Sequence, residues 1–304
     1  MNPSRRSFLK NGALALGGTL AFPNELLTFK KGKGLVGVQL YCVRDEMKAS
    51  PLDTLQQVAK MGYTNVEHAN YVTRKFYGYS ALEFKKILDD LGLKMPSGHT
   101  VMGPQHWDST TKDFTDEWKY TVEDAAIAGQ HYVVSPWLDE GLRKNYDDLL
   151  RFLELFNKSG ELCQKSNMKF GYHNHNFEFK YSLNNKKIYD IILEHTDPKL
   201  VAQQLDIGNM YGGGGRAIDV INKYPGRFEL LHVKDEIKSA KGEMDDPYES
   251  TILGTGLINV KQVIDLALKS GGTTHFIVEQ ESYQGKKPME CIEEDLKILK
   301  NWGF

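Results

Sequence analysis

Three apolar runs of this chain end on side chains that bind metal ions. Leu205-Asp206-Ile207-Gly208-Asn209 closes such a run with a carboxylate, and a glycine lets the chain turn away. Leu230-Leu231-His232-Val233-Lys234-Asp235 delivers an imidazole, and Phe276-Ile277-Val278-Glu279-Gln280-Glu281 a second carboxylate. Such oxygen and nitrogen donors suit Mn, Zn, Co, Fe or Mg according to geometry, and three protein ligands leave open positions for a substrate. Asp206, His232 and Glu279 are therefore the primary metal candidates. An upstream strand ends in His173-Asn174-His175. Its two histidines share one face while Asn174 points the other way, so one of them is expected to add a fourth ligand. We assign ligation to His175 and a catalytic role to His173, an assignment the spacing leaves interchangeable.

These ligands meet only if their strands lie side by side. From residue 35 onward two periodicities alternate. Short apolar runs at 35–43, 63–67, 94–99, 131–135, 168–173, 201–207, 228–233 and 275–279 read as strands. Amphipathic segments at 51–61, 80–91, 114–128, 146–164, 188–195, 217–223, 260–269 and 288–302 read as helices. Ser50 is the expected N-cap of the first, with Pro51 at its first position and Gly62 as its stop. Ser80 and Glu83 make a capping box for the second. Eight strand-then-helix units predict an α/β fold, a single (β/α)8 barrel at 35–304. No Gly-x-Gly-x-x-Gly follows the first strand, so the dinucleotide-binding fingerprint is missing.

In such a barrel the C-terminal strand ends converge on one face, where active sites sit. This chain places Glu67, His99, Trp137, Asn209 and Glu281 there besides the ligands, and these are the candidate substrate contacts. Lys234 shares the face of His232 and is a candidate acid or substrate contact; an ion pair with Asp235 or Glu281 is the competing structural reading. Glu67 has a structural alternative too, pairing with Arg44 or Lys234. Trp137 and Tyr41 could wall a sugar ring or simply pack in the barrel.

The remaining features narrow the class. A formal net charge of -2, without long blocks of one sign, gives no pull toward nucleic acid. Cys42, Cys163 and Cys291 are odd in number and lack CxxC spacing, which argues against a disulfide framework. Residues 1–22 stand apart: Arg5-Arg6-Ser7-Phe8-Leu9-Lys10 precedes a short apolar run and reads as a twin-arginine signal peptide. That predicts the Tat translocon as a partner during export and a periplasmic or otherwise exported destination. Residues 23–34 read as a linker.

The order His173-Asn174-His175, Leu205-Asp206-Ile207-Gly208, His232-Val233-Lys234-Asp235 and Val278-Glu279-Gln280-Glu281 resembles the sugar phosphate isomerase/epimerase family. This is the xylose isomerase-like TIM-barrel group, which also includes ketose 3-epimerases and inosose dehydratase. Gly37-Val38-Gln39-Leu40-Tyr41 and Gly254-Thr255-Gly256 look like the same group. The resemblance implies one divalent metal held by Glu, Asp, His and Glu from strands five to eight. Asp206, His232 and Glu279 match that pattern; the strand-five Glu is replaced by the His-Asn-His run, and Asn209 stands where many epimerases carry His. Losing one of two glutamates puts a symmetrical two-Glu epimerisation in doubt, and a strand-five His is reminiscent of inosose dehydratase.

The expected activity is a divalent-metal-dependent isomerase or epimerase acting on a sugar or keto-sugar through an enediolate, with Glu279 or a strand-five His taking the α-proton. The alternative is a lyase or dehydratase using the same site on a keto-sugar, keto-glycoside or keto-polyol. A non-catalytic sugar-binding barrel is the remaining reading. A small carbohydrate is the expected ligand, and a homo-oligomer is among the expected assemblies.

Overall fold

The computed structural model of the protein describes residues 34–304 apart from Asp245 and Gly271. The signal peptide expected at 1–22, and all but the last residue of the linker expected at 23–34, lie outside the described residues.

Eight parallel strands close into a barrel in chain order: β1 (Leu35–Gln39), β2 (Asn65–His68), β3 (Lys94–His99), β4 (Tyr132–Ser135), β5 (Lys169–His173), β6 (Val201–Asp206), β7 (Leu230–Val233) and β8 (His275–Val278). The principal helices outside them are α1 (Pro51–Met61), α2 (Ala81–Asp90), α3 (Asp116–Ala128), α4 (Tyr146–Gln164), α5 (Ile188–His195), α6 (Ala217–Lys223), α7 (Val260–Lys269) and α8 (Pro288–Asn301). The strands of such a barrel are covered by helices outside and by each other within, so their residues are buried on both faces. All six residues of β6 are buried. The apolar core lies between sheet and helices in two clusters, while a small group of Ala202, Leu230 and Ile277, with Tyr132 against it, plugs the lumen.

Local signals place the helices. Ser80 Oγ accepts from the Glu83 N–H and the Glu83 carboxylate accepts from the Ser80 N–H, completing the expected capping box. Ser50 precedes α1, but its hydroxyl donates to Asp53 Oδ2 instead of capping a backbone N–H. Strand β1 stops four residues earlier than its apolar pattern predicts. Gln39 Oε1 accepts from the Tyr41 N–H, and residues Leu40–Val43 turn as a 3-10 helix. On β3, Asn65 pairs with Lys94 but Glu67 with Ser97, an extra residue that falls beside Pro96. Proline has no N–H for the ladder, which suits a bulge there.

The loops at the C-terminal face carry structure that the periodicity does not announce. Two-residue strands at Tyr71–Val72, Lys75–Phe76 and Tyr79–Ser80 make a small sheet, and Asp235–Lys238 pairs with Tyr248–Thr251 as a ribbon. Strands this short have no run in which alternation could register.

The pleat separates Glu67 from His68. Glu67 points into the lumen; His68 points out, its ring edge-on to Phe76 at 4.8 Å. The neighbour of His68 on β3 is Gly98, and a Cβ there would lie 1.8 Å from His68 Cδ2 and 2.0 Å from Nε2. Gly98→Ala is therefore expected to destabilise the barrel by about 1–3 kcal/mol through overpacking. Urea unfolding monitored by tryptophan fluorescence should show the lowered midpoint, and an unchanged midpoint would contradict the packing described.

Candidate active site and metal-binding cluster

Above the apolar plug, the barrel lumen holds a polar layer centred on Glu67. Its carboxylate accepts from Gln39 Nε2 (2.8 Å), Ser97 Oγ, Gln204 Nε2 (2.7 Å) and His232 Nε2 (2.6 Å), and His99 Nε2 is 3.2 Å away. Burial alone would raise this carboxyl. The neighbouring His99 and His232, with the donated hydrogen bonds, hold it well below the usual carboxylate range. Gln204 Oε1 in turn faces His99 Nε2 (2.7 Å) and His173 Nδ1 (3.1 Å).

These bonds orient the next layer up. With Nε2 bound to Glu67, His232 turns Nδ1 toward Glu279 Oε2 (3.1 Å) and Asp206 Oδ2 (3.7 Å). With Nδ1 on Gln204, His173 has Nε2 left for the same place. One donor atom each from His173, Asp206, His232 and Glu279 lies within 4.8 Å of all the others, and all four residues are buried. Asp206 Oδ1 accepts from the Asn209 N–H (2.7 Å), capping the short helix Ile207–Gly212. Asp206 Oδ2 is buried without a hydrogen-bond partner. A buried carboxylate oxygen left without a donor and aimed at three converging ligand atoms fits a cation. The two-imidazole, two-carboxylate set suits the ions expected from the sequence.

The electrostatics are those of a crowded, water-poor cluster. Burial would lower His232, but Glu279, Glu67 and Asp206 hold it well above its ordinary value. Burial pushes Glu279 up to about 7, against His232 and Lys234. Asp206 sits at about 2, because Lys234 and His232 outweigh its burial. His173 is held well below its ordinary range by burial and by the neighbouring imidazoles, so it offers a neutral ring.

The structure sorts the sequence candidates. His173, assigned a catalytic role above, lies in the converging cluster that could hold a metal ion, and His175, assigned ligation, lies outside it. β5 ends at His173, and Asn174 leaves the strand alternation to clamp β6. Its side chain accepts from the Asp206 N–H (2.9 Å) and donates to the Asp206 carbonyl (3.0 Å). His175 is carried onto the cavity wall, stacked over Phe177 and edge-on to Trp137, with Nδ1 unpartnered. Burial drops it to about 3. Glu67, expected at the substrate, lies fully buried beneath the ligands, where it orients His232. Lys234 is also fully buried; its ammonium contacts Glu281 (2.5 Å), Asn209 Oδ1 (3.2 Å) and Glu243 (3.3 Å), and is 3.9 Å from Glu279 Oε2. His99, Trp137, Asn209, Glu279 and Glu281 do line a cavity of about 1070 Å³ over the cluster. Gln204 escaped the sequence reading, and Asn174 was read only as pointing away from the two histidines. Gln204 had a signal: a polar residue inside an apolar run, two before Asp206 and hence on the same face.

The model of the xylose isomerase-like TIM barrel family matches residues 55–302. Inosose dehydratase of Geobacillus thermodenitrificans strain NG80-2 is 27% identical over 144 residues, which cover 44% of this chain and 47% of that protein. The chain thus spans about half the length of this curated relative. The crystal structure of a sugar phosphate isomerase/epimerase from Parabacteroides distasonis ATCC 8503 has a TM-score of 0.74 at 25% identity, covering 91% of this chain and 97% of that one. The IolI protein, solved with a bound zinc atom, shares the fold at a TM-score of 0.66 and 14% identity, over 88% of this chain and 97% of its own.

A carboxylate that fixes the tautomer of a ligating histidine is worth about 10–100-fold in metal affinity. Glu67→Gln keeps the shape but removes the charge behind His232. Equilibrium dialysis against Zn or Mn should show a loss of that size with the far-ultraviolet circular dichroism unchanged. Undiminished affinity would separate Glu67 from the metal.

Proposed function

The chain belongs to the xylose isomerase-like TIM barrel family, and from that premise we propose that it is a divalent-metal-dependent lyase or dehydratase of a keto-sugar. It removes the proton beside the carbonyl and expels a group from the next carbon. The observation that carries this reading is the makeup of the cluster: His173 stands where the family resemblance leads one to expect a second glutamate. Epimerisation calls for an acid–base group on each face of the reacting carbon. Elimination needs one base beside that carbon and a proton for the departing oxygen.

A cation held by His173, Asp206, His232 and Glu279 would supply Lewis-acid stabilisation of the oxyanion that develops as the proton leaves. Glu279 lines the cavity beside the cluster, where its carboxylate is placed to take that proton. Lys234, packed against Glu281 and Asn209, fixes two polar side chains of the cavity wall in place for sugar hydroxyls. His175 adds an uncharged ring to the same wall, edge-on to Trp137. Trp137 gives that end an apolar face suited to a sugar ring.

The substrate carries no phosphate in this reading. Among the described residues lining the cavity, Arg74 holds the one permanently positive side chain, and it is paired with Glu123 and Asp124. Export through the twin-arginine signal belongs to the same reading, since phosphorylated sugars are scarce outside the cytoplasm. A second reading, isomerase or epimerase, is supported by the likeness to the Parabacteroides distasonis protein over nearly the whole of both chains.

Metal-loaded protein incubated with keto-sugars and keto-glycosides in deuterated water separates the two. We expect an unsaturated keto product together with released water or alcohol, and Glu279→Gln should slow its formation by about 100-fold or more. Deuterium at the α-carbon with the mass otherwise unchanged would assign the isomerase or epimerase instead. For export, replacing both Arg5 and Arg6 with Lys should leave the protein in the cytoplasm. Efficient appearance of that variant in the periplasm would overturn the signal assignment.

A further inference from the structure

The cavity over the ligand cluster is larger than one sugar requires. Its volume of about 1070 Å³ stands at the top of the roughly 300–1,000 Å³ range of small-molecule sites. The cluster occupies one end. The other end is built by different elements: the small sheet at 71–80, the loop after β3 and the exposed face of α3. There Val72 (61% exposed), Val101 (44%) and Tyr120 (42%) stand in solvent on the walls of a single cavity, with Tyr71 beside them. Apolar side chains exposed together in a concave surface mark a binding face more often than chance.

The wall is also held rigid. The two-residue turn Thr73-Arg74 joins Val72 to Lys75 with both residues at positive φ, 51° and 61°, although neither is glycine. Strain of this kind persists only where the surroundings enforce it, and it gathers at ligand sites. Here the enforcement is visible. Arg74 donates from Nε (2.9 Å) and Nη2 (2.6 Å) to the buried Asp124 carboxylate, and from Nη2 to Glu123 (2.7 Å). Its guanidinium lies 4.2 Å from the centre of the Tyr120 ring. Tyr71 donates to Asp124 as well (2.6 Å). The turn is thereby bolted to α3, and the surface it presents is two aromatic rings and two valines edged by a guanidinium.

We infer that this outer half is a second subsite, which takes a second ring, sugar or phenolic, joined through a glycosidic oxygen to the sugar that reacts at the cluster. Aromatic faces receive the apolar face of a ring. The inference rests on the reading above that the inner end takes a sugar. It adds that the substrate is a glycoside and that residues 71–74 with α3 set its specificity.

The test is calorimetric titration of the metal-loaded, full chain with glucose, cellobiose and phenyl glucoside, none of which needs to react. The two-ring ligands should bind about tenfold or more tighter than glucose, an increment of about 1.4 kcal/mol. Tyr120→Ala and Val72→Ser, both at exposed positions, should erase that increment while glucose affinity stays within about twofold, and Tyr120→Phe should restore it. Equal binding of one-ring and two-ring ligands, or variants that weaken both alike, overturns the subsite. A two-ring preference that persists while the product assay shows no elimination upholds the subsite and rejects the lyase reading alone.

Discussion

Glu67 is a carboxylate removed entirely from water at the centre of the barrel, and the site above it is arranged around that charge. An uncompensated buried carboxylate costs several kcal/mol. Here it receives four side-chain donors from four different strands, among them the Nε2 of His232. Because that nitrogen is committed, the ring can present only Nδ1 to Asp206 and Glu279. One buried charge thus sets the tautomer of His232 and, through Gln204, the orientation of His173. The ligand cluster follows from the layer beneath it.

The same logic extends outward with decreasing strictness. Lys234 is a buried cation surrounded by Glu243, Glu279, Glu281 and Asn209, so the charges of the two layers interlock. Asp235, one residue on, accepts from the backbone N–H groups of Gly254, Gly256 and Ile258 and ties that loop to the end of β7. Beyond these, the walls of the cavity come from short hairpins, single loops and the exposed face of α3. The division is physically reasonable: the barrel strands position the polar cluster, and the loops shape the cavity above it.

Strand five shows how one residue redirects the chain. Had the alternation of β5 continued, His173 and His175 would both face the lumen. Asn174 instead hydrogen-bonds β6 through both its amide atoms, and the chain bends away at that point. One imidazole stays in the ligand set and the other becomes cavity wall. With imidazole in place of a carboxylate at His173, Glu279 is left as the carboxylate of the ligand set that lines the cavity.

The sequence by itself determined the barrel, because eight alternations of a short apolar run and an amphipathic helix leave few other packings. Its helices at 51–61, 146–164, 188–195, 217–223 and 260–269 have the predicted bounds, since their apolar periodicity carries its own signal. The convergence of Asp206, His232 and Glu279 was legible for a similar reason: each lies at the end of a buried strand, and parallel strands bring their ends together. Only the tertiary structure decided which strand-five histidine joins them, because that depends on where Asn174 finds a partner across the sheet. It also moved Glu67 from the substrate to a place behind His232, a contact between residues 165 apart in the chain. The outer wall was equally silent, built from two-residue strands whose turn is tied through Arg74 to Asp124 of α3. Local pattern specifies elements; contacts between distant residues specify which side chains touch.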